Sequence, residues 1–346
     1  MVSRPRRMRI VRAVALLSAV ITVAAAITAS NDRATAEPDD PAAVTAPDGS
    51  HISEIHRRDD RVLDIGVYSA AMRNVTRVQL IRAADPDRPA PTLYLLNGAN
   101  GGISDGSWSD RTDIAGFFAD KQVNVVVPFG GASSYFTDWR ADDPVLGRQR
   151  WRTFLTKELP PIIDSGFGGT GVNAIAGISM AGTSVFQLAL AAPGLYKAVG
   201  SYSGCVRTSD PQGQLIVDAV VGNRMGNTVN MWGPPTDPAW AANDPYLHAD
   251  RLRGTAIYVS TGTGIPGPLD TFEGAHNDAT QLAYQLVFGA ALEGVTNICT
   301  HQLHDRLQQL GVPATFDFRP TGTHSWGYWQ EDLHTSWPLF ADALGA

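Results

Sequence analysis

The sequence predicts an α/β fold, one domain with a mainly parallel central sheet covered by helices on both faces. Two patterns point there. Short apolar runs rich in β-branched residues alternate with longer segments of helical periodicity, the order that parallel strand-helix units produce. The chain's 346 residues, 44% of them hydrophobic, supply a large interior, and no repeat or second domain boundary divides them.

Taken in order, the chain begins with Arg4, Arg6, Arg7, Arg9 and Arg12, followed by an alanine-rich apolar run over 13–29. A basic head before such a run reads as a secretory signal. Ala34-Thr35-Ala36 suits a signal peptidase, so cleavage near Ala36 is expected to remove residues 1–36 and leave a secreted or envelope-held protein. The apolar run falls just under the usual bilayer-spanning length, so a retained anchor is the alternative, and the signal pattern favours cleavage over it. Residues 37–51 are rich in Pro, Ala and Asp without periodicity and read as a flexible leader to a folded domain at 52–346.

Within that domain, 62–68 and 75–81 read as paired strands, and 92–96 as a third. Asn74-Val75-Thr76 matches a glycosylation pattern but is taken as strand sequence. A short helix over 113–120 precedes a strand at 123–127, and a helix over 151–163 leads into a buried strand at 172–176. Beyond it Val185, Leu188, Ala189 and Ala192 recur at helical spacing. Strands follow at 198–203 and 256–260, separated by the aromatic loop Met231-Trp232-Gly233-Pro234-Pro235; helices at 277–293 and 300–310 and a last strand at 315–318 complete the pattern.

Candidate chemistry sits on the turn Gly177-Ile178-Ser179-Met180-Ala181-Gly182, where the buried strand meets the helix. A serine there, flanked by small residues, has the form of the nucleophile elbow of α/β-hydrolases; its bland alternative is a serine that merely caps the helix. The elbow aims the Met180 N–H at the place where an oxyanion forms. The glycine-rich stretch Asn97-Gly98-Ala99-Asn100-Gly101-Gly102 follows the third strand, where such folds supply a second oxyanion donor, though a simple turn has the same composition. A serine needs a base, and the base needs an orienting acid. His324, in Gly322-Thr323-His324-Ser325-Trp326 after the last strand, occupies the position that chain order demands of the base. Asp270, Glu273, Asp278, Glu293 and Asp305 all qualify as the acid by order, and topology favours Asp270 because it follows a strand closely.

A net charge of -7 argues against a nucleic-acid surface and for a neutral sugar or lipid partner. Cys205 and Cys299 are the number an exported protein carries as one bridge, which would clamp the segment after residue 293 to the strand end beyond the elbow. Cys299, His301 and His304 lack a fourth ligand and lie on helical periodicity, so no metal site is read there.

Several separate motifs carry a resemblance: the elbow itself, Met231-Trp232-Gly233-Pro234 with Asp237-Pro238-Ala239-Trp240, Asn243-Asp244-Pro245, and Gly322 to Trp326 with Tyr328-Trp329. Tyr94-Leu95-Leu96, Phe154-Leu155-Thr156 with Glu158-Leu159-Pro160, and residues 134–139 add to it. Together they resemble the antigen 85 type of mycolyltransferase of mycolic-acid-bearing actinobacteria, from about Val62 to the C-terminus. The Cys205 pattern is closer to the corynebacterial and rhodococcal branch.

The resemblance implies an α/β-hydrolase fold and transfer of a mycolyl group from trehalose monomycolate to trehalose or arabinogalactan through an acyl-serine, without metal or nucleotide cofactor. Ser179 then matches the nucleophile, His324 the base, and Glu293 of the Leu292-Glu293 pair the acid, against the topological preference for Asp270. Ala99 and Met180 match the oxyanion donors, while Ser325 and Trp326 match residues lining the sugar and acyl site. Asn97 and Asn100 stand where the mycobacterial enzymes carry a charged aspartate and arginine against trehalose; asparagine can bond a sugar without the charge. A secreted carboxylesterase that lets water take the acyl group shares the same motifs, and a non-catalytic glycan-binding protein can retain the fold.

Overall fold

The computed structural model describes residues 44–104 and 106–346. The expected signal at 1–36 and the start of the leader lie outside them. Among the described residues, nine strands form one sheet in the order β1-β2-β3-β5-β4-β6-β7-β8-β9. These are β1 (His51–Arg57), β2 (Val62–Ser69), β3 (Asn74–Ile81), β4 (Ala90–Leu96), β5 (Asn124–Pro128), β6 (Gly169–Ile178), β7 (Tyr196–Tyr202), β8 (Ala256–Thr261) and β9 (Thr315–Phe318). The first three pair antiparallel and β3 joins β5 antiparallel, while β5, β4, β6, β7, β8 and β9 run parallel.

Side chains alternate across a strand, so each central strand feeds two interiors. Tyr94, Leu96, Val126, Ile175 and Val199 enter one, with Phe154, Leu159, Val185, Phe186, Leu303 and Leu307 from the helices on that face. Leu93, Leu95, Val125, Ala174, Ala176 and Tyr202 enter the other, under Trp108, Phe118, Trp329, Leu333 and Phe340. Burial on both faces explains why these strands read as near-continuous apolar runs.

Several elements differ from the sequence reading. The leader does not extend to 51: Val44 and Ala46 are buried in the first interior, Thr45 bridges to His51, and His51 opens β1. The helix expected over 151–163 contains a π-helical stretch, Phe154–Glu158, ahead of Leu159–Gly166. Pro160 lacks a donor there, and the wider turn accommodates it. The two segments expected at 277–293 and 300–310 form one continuous helix, Ala279–Leu310, again through a π-helical stretch at Gln285–Gly289. Several helices come unforeseen, the longest being Pro211–Gly222, whose start is capped by Asp210 on the Gln212 and Gly213 N–H groups, and Trp326–Leu344, which tolerates Pro338 within it.

The parallel strands point their carboxyl ends to one edge, and the backbone ladder continues past those ends. Ser179 N–H donates to Tyr202 O (2.9 Å), Ser203 N–H to Ser260 O (2.9 Å) and Arg319 N–H to Thr261 O (3.0 Å). The residues that leave the sheet there are therefore held as firmly as the sheet itself, the usual place for a site in an open α/β sheet.

Cys205, just beyond β7, is bonded to Cys299 in the long helix, with Cα atoms 5.0 Å apart across 94 positions. Closing so long a loop removes much entropy from the unfolded chain. Replacing both cysteines by alanine is expected to cost about 4 kcal/mol of stability. Urea unfolding of the oxidised protein and the double variant measures it; coincident midpoints and slopes contradict the clamp.

Candidate active site

Ser179 is held at φ 55° and ψ -123°, a conformation that L-residues avoid and that costs of order 1–3 kcal/mol. Its neighbours make it possible. A Cβ on Gly177 would stand 2.8 Å from Ala181 Cβ, and one on Gly182 would stand 2.7 Å from Ser201 Oγ and 2.8 Å from Gly204 Cα. The strand, the helix Met180–Ala191 and the loop after β7 thus approach at contact distance only because these positions are glycine. Turned out of the strand direction, Ser179 lines a cavity of about 440 Å³ with Gly98, Ala99, Tyr284, Phe288, Leu292 and His324.

His324 reaches that cavity from the loop after β9. Its Nδ1 is 2.8 Å from Glu293 Oε2. The ring stands edge-on to Trp329, centroids 5.0 Å apart, and its backbone N–H donates to Gly289 O (3.2 Å). With Nδ1 bonded to a carboxylate, the imidazole has Nε2 left to face the cavity. No hydrogen bond joins the Ser179 hydroxyl to His324 among the described residues; the two groups share the cavity wall.

Glu293 is fully buried, 0% exposed. Oε1 accepts the Gly262 N–H (2.6 Å), the Ser203 hydroxyl (2.9 Å) and the Thr261 hydroxyl (3.2 Å), and the Thr296 hydroxyl lies 3.3 Å from Oε2. Burial alone pushes this carboxyl up. The hydrogen bond and charge of His324, with the Gly262 and Ser203 donors, outweigh burial and hold it below its ordinary 4.5. The carboxylate is ionised at neutral pH and sits where it fixes the imidazole's tautomer.

The other acids are engaged elsewhere. Asp270, favoured by topology, accepts the Tyr328 hydroxyl (2.9 Å), the Gly267 N–H (2.8 Å) and the Thr323 hydroxyl, so it braces the residue before His324 without meeting the imidazole. Asp278 caps the long helix, Asp305 pairs with His304 and Glu273 is exposed.

Of the remaining predicted residues, Ala99, Asn100, Ser325 and Trp326 line the cavity. Met180 opens its helix, so its N–H has no acceptor within that helix. Asn97 is different: it is fully buried, with Nδ2 donating to Pro128 O (3.1 Å) and Oδ1 accepting the Trp108 N–H (3.1 Å). Both its amide atoms brace the loop, and the expectation of a sugar contact there is corrected. Asn100 also braces, donating to Gly106 O (3.1 Å) and accepting the Gly102 N–H (3.0 Å). Ser203, Thr261 and Gly262 were not singled out from sequence, since an isolated Ser or Thr at a strand end carries no motif.

Residues 69–340 match the Esterase family. The diacylglycerol acyltransferase/mycolyltransferase Ag85A of Mycobacterium leprae is 34% identical over 268 residues, 74% of this chain and 76% of that protein. The Ag85B protein of Mycobacterium avium is 34% identical over 295 residues, 81% and 82% of the two chains. This chain belongs to the Ag85 mycolyltransferase family. The crystal structure of Mycobacterium tuberculosis MPT51 superposes with a TM-score of 0.68 at 26% identity, covering 83% of this chain and 100% of that one. An S-formylglutathione hydrolase from Agrobacterium tumefaciens, 14% identical with a TM-score of 0.56 over 85% and 99% of the chains, shares the fold alone. The Ag85-type chain therefore has the α/β-hydrolase fold, and its motifs Asn243-Asp244-Pro245 and Asp237-Pro238 turn out to be braces: Asp244 Oδ2 accepts the Ser209 N–H (2.9 Å) and hydroxyl (2.6 Å), and Asp237 caps Pro238–Ala242.

The contact at Gly182 leads to a stability prediction. Gly182→Ala drives a methyl into backbone at Gly204, which cannot rotate away, and should destabilise the protein by about 1–3 kcal/mol. Chemical denaturation tests it; unchanged stability contradicts the close approach.

Proposed function

We propose that this Ag85-family chain is an exported acyltransferase that moves a mycolyl group from trehalose monomycolate to trehalose or cell-wall arabinogalactan, through an ester on Ser179. One observation carries the reading: a buried, ionised Glu293 bonded to His324, whose ring opens on the same cavity as the strained Ser179. The names of the relatives support acyl transfer.

In the proposed cycle His324 Nε2 takes the Ser179 proton as the oxygen attacks the donor's ester carbonyl. The Ala99 and Met180 N–H groups receive the developing oxyanion, and Glu293 balances the imidazolium. Collapse breaks the bond to the trehalose oxygen, which leaves with the proton from His324. The acceptor's hydroxyl then gives its proton to His324 and attacks the acyl-serine; the second collapse frees the Ser179 oxygen, which regains that proton. The protein's own groups carry each step. Tyr284, Phe288 and Leu292 line the cavity yet remain 51%, 61% and 46% exposed, an apolar approach suited to a long alkyl chain. Export belongs to the same reading, supported by the basic and apolar N-terminus with its Ala34-Thr35-Ala36 triplet.

Ser179→Ala is expected to reduce transfer by roughly 10³-fold or more while leaving the circular dichroism and melting curve unchanged. Product analysis from trehalose monomycolate, with and without added trehalose, separates acceptors. Dimycolate that rises with trehalose supports transfer. Free acid alone in every condition means that water is the acceptor and the protein an esterase, and full activity in the alanine variant overturns the serine mechanism.

A further inference from the structure

Arg319, which follows β9, buries its charge against the Glu293–His324 pair. The side chain is 13% exposed. Nη1 pairs with Asp332 Oδ1 from the helix Trp326–Leu344, and Asp332 is itself 1% exposed. Nη2 lies 3.6 Å from Glu293 Oε1, and the guanidinium carbon is 5.3 Å from the Tyr328 ring centroid. Nη2 and Nε are buried without a hydrogen-bond acceptor among the described residues, and Asp332 Oδ2 is buried without a donor within hydrogen-bond geometry.

Such an arrangement is a poor stabiliser. Buried ion pairs with unsatisfied donors gain little over apolar residues of the same volume, so stability gives no reason to place this one beside Glu293. Its position gives another. We propose that Arg319, anchored by Asp332, is a positioning residue for acyl transfer: it sets the charge balance of the Glu293–His324 pair and so the pH at which His324 becomes a usable base. The proposal rests on the reading of His324 as that base.

The signs follow from Coulomb's law. A cation near Glu293 lowers the pair's affinity for a proton, whereas the Asp332 carboxylate beyond it raises that affinity. Burial, opposed by Arg319, pushes the Asp332 carboxyl up to about 7, so near neutrality it is charged only part of the time. A proton on Asp332 leaves more of the guanidinium's field for Glu293. Other titratable groups stand on the elements packed nearby. Asp317 on β9 is bonded to the Tyr258 hydroxyl of β8 (3.3 Å), and Asp270 is held by Tyr328 and Thr323. His301 and His304 lie against Phe318 from the long helix. These groups set the baseline and are common to every variant.

The test follows proton uptake by the pair in two ways: NMR of the His324 imidazole, and the acidic limb of kcat/KM for p-nitrophenyl butyrate. Arg319→Met should move both to higher pH by about 1 unit, with KM little changed. Arg319→Lys should recover most of that shift. Asp332→Asn should move both the opposite way, by a smaller amount. A residue that only supports the fold does not produce opposite displacements. Titrations that stay in place in both variants, or move the same way, overturn the proposal. Where Arg319→Met fails to fold, Asp332→Asn decides alone: a shift to lower pH supports the proposal and none overturns it. If wild-type protein turns over no ester, the acyl-transfer reading fails separately, and the NMR titrations still decide whether Arg319 controls the pair.

Discussion

The Glu293 carboxylate is a full charge with no access to water, and the surrounding structure is organised to make that tolerable. An isolated buried carboxylate would take a proton, so donors have to come from every side. They come from the ends of β7 and β8, from Glu293's own helix and from the loop after β9, by way of Ser203, Thr261, Gly262, Thr296 and His324. Each donor is useful only if its backbone is fixed. The ladder bonds past the strand ends, the Asp270 brace on Thr323 and the Cys205–Cys299 bond to the same helix supply that fixity. Trp329 joins in, its indole N–H donating to Ser203 Oγ (3.0 Å) while its ring fixes the imidazole edge-on.

The Ser179 side of the cavity has the opposite logic. There the constraint is steric, with almost no charge: Ser179 keeps an unfavourable backbone because Gly177, Ala181, Gly182 and Gly204 let three segments meet. Strain on one wall and charge on the other converge at a space that is apolar at its approach. On the proposed reading the serine becomes reactive only when both are present, since a hydroxyl without an oriented base is a poor nucleophile.

Much of this was legible in the sequence, and the failures have physical causes. The parallel strands and the elbow announced themselves because burial on both faces forces apolar runs and close packing forces small residues. Chain order also placed His324 on the side of the sheet where it lines the cavity with Ser179. The choice of acid did not follow from it. Asp270 follows a strand closely, as the general rule asks, but the fold uses it one residue away from the histidine; Glu293 lies on a helix whose pattern shows nothing of which carboxylate the sheet ends enclose. Family resemblance singled out the carboxylate that contacts His324, which periodicity could not. Resemblance also misled at Asn97, where the side chain turns into the loop, because whether an amide faces sugar or backbone depends on a carbonyl at Pro128 distant in sequence. β1 escaped notice because His51–Arg57 is mostly polar, as one face of an antiparallel edge strand can be, and Pro338 disguised the C-terminal helix. Arg319 carried no signal at all; only the folded chain sets it against Glu293.

The central claim is that the acyl group passes through a covalent ester on Ser179. Intact-protein mass spectrometry after rapid acid quenching, with a slowly transferred long-chain ester as donor, measures this directly. The account predicts a mass increase equal to one acyl group, located by peptide mapping to Ser179 and discharged when trehalose is added. An adduct on another residue, or transfer to trehalose with no acyl-protein formed at any time point, would contradict it.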